Sequence, residues 1–209
     1  MADSLTDHRW KLIRGLRRAR VPAGFLFVLI SLSVAQPTIS SLMWGMSVAA
    51  VGLILRAWAS GYLRKDRVLV QAGPYALTRN PLYLGSLLIG VGLCLACGSP
   101  GLLLWFALFF GVFYYPAMVA EREHLRALFG PAYDRYEQAV PLFLPRLRRG
   151  ARASAETVAS ASDVGTPGRA SVGMDAPPRF AFSVYWENRE YRALVGFLLV
   201  CALLLVKAL

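Results

Sequence analysis

Long apolar runs separated by short polar segments dominate the pattern along this chain. About 20 residues are needed to cross the hydrocarbon core of a bilayer, and four runs approach or exceed that length: Leu42–Tyr62, Pro81–Cys97, Gly101–Ala120 and Ala193–Leu209. A shorter fifth run, Val21–Ala35, can be extended to a crossing by its neighbours. Because helices satisfy their own backbone polar groups in lipid, the pattern predicts an all-α integral membrane fold with about five transmembrane helices.

The segments outside these runs predict how the chain is divided. Residues 1–20 are basic, with apolar side chains towards one side, and predict an interfacial helix on the inner leaflet. Residues 21–146 are predicted to form the membrane domain, in which a short cytoplasmic helical segment follows the fourth span. Residues 147–180, rich in Ala, Ser, Gly, Thr and Pro, predict a flexible linker. Residues 181–209 predict an interfacial segment that leads into a C-terminal transmembrane helix.

Composition and charge placement strengthen the membrane class. The chain is 56% hydrophobic and 17% charged, and soluble domains rarely carry so few charges. Its formal net charge is +11, with basic residues gathered in Met1–Arg20, Leu63–Asn80 and Glu121–Arg192. The positive-inside rule places the N-terminus and these three segments in the cytoplasm, beneath an inner or plasma membrane. The charge therefore indicates topology and attraction to membrane lipid, and no nucleic-acid partner is expected.

The first segment with candidate chemistry is GPYALTRNPLYLG, residues 73–85, which leads directly into the apolar run Pro81–Cys97, the third run in chain order. Asn80 is a favoured N-cap and Pro81 suits the first helical position, so helix initiation alone explains part of the pattern. A helix start at the membrane face also directs backbone N–H groups and a positive dipole end towards the interface. Arg79 adds a forked donor there, which suits a carboxylate.

A second polar segment, EREHLRALFGPAYDRYEQAVPLFLP, covers residues 121–145. It follows Gly101–Ala120, the fourth apolar run in chain order. A carboxylate at a membrane exit is usually solvated. In a dry site, however, Glu121 can hold an ammonium group or ribose hydroxyls through charge-assisted hydrogen bonds. Tyr133 and Tyr136 lie three residues apart and so share one face of the short helix predicted there.

Small residues and cysteines inside the third run carry weaker signals. Gly90 and Gly92 form a Gly-x-Gly step, which is typical either of close helix packing or of a surface that admits a flat ring. Cys94 and Cys97 form a Cys-x-x-Cys step, but within an apolar helix this favours packing thiols. The chain has two histidines, and no metal-ligand cluster is predicted.

The two polar segments, in this order around a helical hairpin, resemble the isoprenylcysteine carboxyl methyltransferase family and its phospholipid N-methyltransferase relatives over roughly residues 45–146. The family's Arg-His-Pro-x-Tyr step corresponds to Arg79, Asn80, Pro81 and Tyr83, with Asn80 in place of His. The family's second segment corresponds to Glu121, Arg122, Leu125, Phe129 and Gly130, with Arg122 in place of a second Glu. Tyr133 and Tyr136 continue the match, and Gly90 and Gly92 correspond to a Gly-x-Gly of the phospholipid branch.

The resemblance implies an S-adenosylmethionine-dependent methyltransferase that acts on a lipophilic, membrane-partitioned acceptor bearing a carboxylate, thiol or amine. It implies catalytic roles for Arg79 and Glu121. The implied cofactor-binding residues are Asn80, Pro81, Tyr83, Gly90, Gly92, Glu121, Tyr133 and Tyr136. Two alternatives remain at this stage: an NADPH-dependent membrane reductase of sterol-reductase type, and a non-catalytic membrane scaffold, which the departures at Asn80 and Arg122 favour.

Overall fold

The computed structural model describes residues 2–64, 67–145 and 180–209. The helices are α1 (Ala2–Val34), α2 (Ile39–Ser60), α3 (Pro81–Ala96), α4 (Gly101–Phe129), α5 (Pro131–Ala139), α6 (Phe182–Glu187) and α7 (Tyr191–Ala208). A short 3-10 helix, Gly73–Ala76, precedes α3. The described residues contain no strand, and the predicted all-α integral membrane fold is confirmed. The predicted linker, residues 147–180, lies outside the described residues except for Phe180.

Three of the described helices, α2, α4 and α7, are long and apolar enough to cross a membrane. Helix α3 is apolar but has 16 residues. Helix α1 has 33 residues and continues without a break through the predicted boundary at residue 20, with Pro22 inside it. The interfacial placement of residues 1–20 and the count of five crossings stay predictions.

The turns that join the long helices meet at one end of the bundle, here called the turn end. The backbone N–H of Gln36, between α1 and α2, donates to the carbonyl of Cys97, between α3 and α4, at 2.8 Å. Gly98 has φ +67, and a Cβ there would lie 2.3 Å from the Gln36 carbonyl oxygen, so only glycine fits without displacement. Lys207, near the end of α7, donates to the carbonyl of Leu32 at 2.9 Å. The long helices α1, α2, α3, α4 and α7 therefore each have one terminus at this end.

Helices α2 and α3 form the closest packing in the bundle through small residues. A Cβ on Gly92 would lie 2.5 Å from the backbone of both Ala49 and Gly45. A Cβ on Gly85 would lie 2.8 Å from the carbonyl oxygen of Gly52. The pairing of low with high residue numbers shows that the helices run antiparallel, and small residues let their backbones approach, as is common between membrane helices.

The C-terminal segment packs on the bundle at the end of α2. The Asn188 side chain donates to the carbonyls of Ser60 and Leu63 at 3.0 and 3.1 Å, which satisfies groups that a helix terminus leaves open. The Arg56 guanidinium, within α2, donates to both carboxylate oxygens of Glu190 at 2.8 Å. These contacts fix the first residues of α7 at the end of the bundle opposite the turn end.

Candidate active site

The two polar segments lie side by side at the end of the bundle opposite the turn end. Pro81 is the first residue of α3, and Asn80 occupies the N-cap position. The Asn80 side chain forms no cap; its Nδ2 donates instead to the Leu142 carbonyl at 2.9 Å. The backbone N–H of Arg79 donates to the Pro141 carbonyl at 3.0 Å. The Thr78 hydroxyl also donates to the Leu142 carbonyl, at 3.4 Å, so three hydrogen bonds join the chain after α5 to the residues that lead into α3.

Three arginine side chains converge on one carboxylate beside this junction. Arg79 Nη1 donates to Glu137 Oε1 at 2.6 Å and to the Tyr133 hydroxyl at 3.3 Å. Arg126 Nη2 donates to Glu137 Oε2 at 2.5 Å, and Arg122 Nε lies 2.6 Å from Glu137 Oε1 without hydrogen-bond geometry. We call Arg79, Arg122, Arg126, Asp134 and Glu137 the ionic cluster.

The ionic cluster favours the ionised form of Glu137 and leaves one hydrogen-bond donor of Arg79 without a partner. Burial opposes ionisation of Glu137, but the hydrogen bond from Arg79 and the positive charges of Arg79 and Arg122 outweigh it and lower the pKa of the carboxyl below its ordinary value. Arg79 Nε is buried and has no hydrogen-bond partner among the described residues. An unpaired buried donor is costly, so this N–H is a ready position for an oxygen of an anionic ligand.

Tyr136 and Glu121 lie outside the ionic cluster, and both act on Tyr75. The Tyr136 hydroxyl donates to the backbone carbonyl of Tyr75 at 2.7 Å, and both tyrosines are buried. Burial is the main cause that raises the pKa of the Tyr75 phenol, and the negative charge of Glu121 raises it further. Glu121 is half-buried on α4, and no hydrogen bond or ion pair joins it to the ionic cluster.

Tyr83 lies in an aromatic group that also includes residues of α1 and α4. Its ring meets that of Tyr114 edge-on, with centroids 5.8 Å apart. The guanidinium carbon of Arg20 lies over both rings, 5.7 Å from the Tyr83 centroid and 5.4 Å from that of Tyr114. Arg20 ends a run of basic residues, and nothing in that run distinguishes it from its neighbours, so this contact was not predicted from the sequence.

Gly90 and Gly92 face different neighbouring helices. A Cβ on Gly90 would lie 2.0 Å from the Phe106 ring of α4, whereas Gly92 lies against Ala49 of α2. In this conformation protein atoms fill the space beside both glycines. A flat ring over Gly90 requires the Phe106 side chain to move.

The hub of the ionic cluster, Glu137, was also missed by the sequence analysis. Tyr133, Tyr136 and Glu137 are spaced i, i+3 and i+4, so they occupy one face of α5. That spacing could have indicated that Glu137 lies on the same side of the helix as the two tyrosines. The structure therefore brings Arg79, Tyr133 and Glu137 together, and it places Tyr136 against Tyr75.

These features define an all-helical integral membrane protein with a polar, arginine-rich site at one end of its bundle. Residues 40–132 match the family model described as phospholipid methyltransferase. The matched region is slightly under half of the chain, runs from α2 into α5, and contains the start of α3 and Glu121. The resemblance to the isoprenylcysteine carboxyl methyltransferase and phospholipid methyltransferase-like membrane family is confirmed for this region.

Curated relatives match about the same part of the chain. The nickel-cobalt-cadmium resistance protein NccN of Alcaligenes xylosoxydans xylosoxydans is 37% identical over 107 residues, which are 50% of this chain and 48% of that protein. The cobalt-zinc-cadmium resistance protein CzcN of Cupriavidus metallidurans matches to the same extent. The protein-S-isoprenylcysteine O-methyltransferase of Schizosaccharomyces pombe is 32% identical over 81 residues, 39% of this chain and 34% of that enzyme.

The match spans about half the length of the two resistance proteins and about a third of the methyltransferase. No solved structure matches the chain significantly. Among the residues that the structure describes, no group of three His, Cys, Asp or Glu side chains is arranged to hold a metal ion.

Proposed function

We propose that this protein is a membrane methyltransferase that transfers a methyl group from S-adenosylmethionine to a lipophilic, membrane-partitioned acceptor with a carboxylate, thiol or amine. The observation that carries the proposal is the family match over residues 40–132, supported by the adjacency of the matched Arg79–Tyr83 step and the chain after α5. A charged cofactor and a lipid-soluble acceptor need a site open to water on one side and to lipid on the other. The end of a membrane bundle meets that need.

The residues at this end fit the polar parts of S-adenosylmethionine. Arg79, with its unpartnered buried Nε, would hold the carboxylate of the cofactor. Glu121, half-buried at the same end, would hold its amino group or ribose hydroxyls. Asn80, Pro81, Tyr83, Tyr133 and Tyr136 would line the remainder of the pocket. Gly90 and Gly92 would join them only once the Phe106 ring and helix α2, respectively, move away.

The chemistry asks the protein mainly for positioning and exclusion of water. When bound, S-adenosylmethionine supplies a methyl carbon whose bond to sulfur breaks, leaving the electron pair on sulfur, as the acceptor atom bonds to that carbon. Arg79 and Glu121 would orient the donor, and the buried tyrosines Tyr133 and Tyr136 would keep water out. Holding two reactants in register can lower a barrier by about 7–11 kcal/mol, and a carboxylate acceptor needs no general base.

The proposed membrane is an inner or plasma membrane, with the ionic cluster and the N-terminus on the cytoplasmic side. The basic residues in the first part of α1, between α2 and α3, and from Glu121 of α4 onwards support this orientation through the positive-inside rule. The three apolar helices α2, α4 and α7 support the integral placement itself.

Titration calorimetry on the full chain in detergent tests the cofactor assignment. We expect saturable binding of S-adenosylmethionine, weakened about tenfold or more by Glu121→Gln, which removes the negative charge, and by Arg79→Lys, which keeps a positive charge but removes the Nε donor and the planar guanidinium. Glu123→Gln is the matched control, since Glu123 is exposed and carries the same charge two residues away. Equal affinity in Glu121→Gln and the wild type would remove Glu121 from the site.

The same titration with NADPH separates the alternatives. Binding of NADPH in place of S-adenosylmethionine would indicate a membrane reductase. A folded protein that binds neither compound would indicate a non-catalytic scaffold, in which Asn80 and Arg122 have replaced residues that the cofactor site needs.

A further inference from the structure

Two tyrosine rings from different helices form a corner near the start of α3. Tyr83 and Tyr114 meet with centroids 5.8 Å apart and planes at 89°. Tyr114 is in turn stacked on Phe110, with centroids 4.4 Å apart and planes at 10°, which fixes its orientation. Both tyrosines are half-buried. We call Tyr83 and Tyr114 the aromatic corner.

A cation already lies in the aromatic corner. The Arg20 guanidinium carbon is within 5.7 Å of both ring centroids, inside the range over which an aromatic face attracts a positive charge. Its one hydrogen bond to the corner, from Nη1 to the Tyr83 hydroxyl, is long at 3.5 Å. No carboxylate among the described residues forms an ion pair with Arg20. Arg20 is therefore held mainly by the rings, an interaction weak enough for another cation to replace.

We propose that the aromatic corner is a binding site for a methylated onium cation, a sulfonium or a substituted ammonium, and that Arg20 is the resident cation that such a ligand displaces. The inference rests on the proposed function, because a methyl donor of that type carries a sulfonium and a methylated amine acceptor carries an ammonium. Tyr83 was assigned to the cofactor pocket on resemblance alone, whereas the contribution of Arg20 and Tyr114 comes from the structure.

The aromatic corner gives the site a preference based on charge. Aromatic faces attract a cation through the ring quadrupole and have no such attraction for a neutral thioether. The demethylated product of the donor is a neutral thioether, so it would bind less tightly than the donor, and Arg20 would return to the rings. The site thereby favours exchange of the neutral thioether product for another molecule of the sulfonium donor.

Binding of three probes to the full chain in detergent tests the proposal. The probes are S-adenosylmethionine, its neutral counterpart S-adenosylhomocysteine, and tetramethylammonium, which presents an onium without the nucleoside. Tyr114→Leu removes one ring, Tyr114→Phe keeps the ring, and Tyr115→Leu is the matched control because Tyr115 is 59% exposed. Arg20→Met removes the resident cation, with Arg18→Met as its control for loss of charge at an exposed position.

We expect the wild type to prefer S-adenosylmethionine over S-adenosylhomocysteine, and Tyr114→Leu to reduce that preference about fivefold or more. Tyr114→Phe and Tyr115→Leu should retain it. Arg20→Met should tighten S-adenosylmethionine about twofold to fivefold with little effect on S-adenosylhomocysteine. Thermal unfolding of each variant checks folding, and Arg20→Met provides a test that does not depend on the Tyr114→Leu protein.

The outcomes separate this proposal from the proposed function. If tetramethylammonium binds and depends on Tyr114 while S-adenosylmethionine does not bind, the onium site stands and S-adenosylmethionine dependence fails. If Tyr114→Leu and Arg20→Met change the affinities of the charged and neutral probes alike, or change none, the onium site is overturned. If the folded protein binds none of the three probes, both proposals are overturned.

Discussion

Glu137 is the single carboxylate on which Arg79, Arg122 and Arg126 converge, and it is largely buried, with 14% of its side chain exposed. Glu137→Gln would leave these three cations near one another without that negative charge. We expect the free energy of unfolding near neutral pH to fall by about 1.5–3 kcal/mol, the range for hydrogen bonds to charged groups. Thermal unfolding in detergent measures the loss.

The pH dependence of this loss has a definite sign. Because the folded-state pKa of Glu137 lies below its ordinary value of 4.5, its contribution is fully present above that value and disappears as pH falls through the folded-state pKa. The difference between wild type and Glu137→Gln should therefore shrink in acid. Asp134→Asn is the control, since its pair with Arg126 is about half exposed and should contribute less than about 1 kcal/mol. Equal losses in the two variants would contradict the central place of Glu137.

Asn80 shows how far a single residue could be interpreted from sequence. Its position at the start of a helix, followed by proline, was predicted and is found. Its side-chain partner was not predicted, because the Leu142 carbonyl lies 62 residues away. Local propensity fixes where a helix begins, whereas the folded bundle decides which distant group a polar side chain meets.

At the scale of elements, the small residues between α2 and α3 set how closely these helices pack. Gly92→Ala puts a methyl group 2.5 Å from backbone atoms of Ala49 and Gly45, which cannot rotate away. We expect the helices to separate slightly, with a loss of about 1–3 kcal/mol in stability. Gly111→Ala on α4 is the control, because nothing lies within 4 Å of that position. Thermal unfolding in matched detergent should show a lower midpoint for Gly92→Ala alone.

Helix ends were harder to predict than helix positions. The fourth apolar run ends near Ala120, but α4 continues to Phe129. Similarly, α1 joins the basic residues before Arg20 to the apolar residues after it. A change from apolar to polar composition marks where a helix leaves lipid, and the backbone hydrogen bonds continue until a residue such as Gly130, with φ +53, ends them.

At the scale of the whole molecule, the two ends of the bundle differ in charge and are predicted to face different compartments. Ser99 lies between α3 and α4 at the turn end, and Glu123 lies exposed on α4 near the ionic cluster. We expect Ser99→Cys to react with a membrane-impermeant thiol reagent from outside intact cells, and Glu123→Cys to react only after permeabilisation. The unsubstituted chain, whose Cys94 and Cys97 are buried and whose Cys201 is half-buried, is the control for labelling of the native thiols. The opposite labelling pattern would reverse the proposed orientation.

The arrangement of the whole bundle could be predicted only in part. Hydropathy and charge gave the helix order and the two turns at the same end, since each is a local property of the sequence. Which helices pack together was not predicted: α2 packs mainly on α3, and α1 on α4. The pairing of helices depends on glycines such as Gly45 of α2 and Gly92 of α3, which allow close backbone contact only where they face each other. Whether two glycines face each other depends on the three-dimensional arrangement and is not a local property of the sequence.

The pairing of Arg56 with Glu190 has a consequence for how the protein is made. The two residues are separated by 134 positions, so at about 5–20 residues per second the ribosome needs roughly 7–27 s to supply the partner of Arg56. During that interval α2 carries an uncompensated cation near the membrane. Until then the Arg56 guanidinium can bind the Leu82 carbonyl and the Ser86 hydroxyl of α3, so the charge within α2 is neutralised last, by the residue that leads into α7.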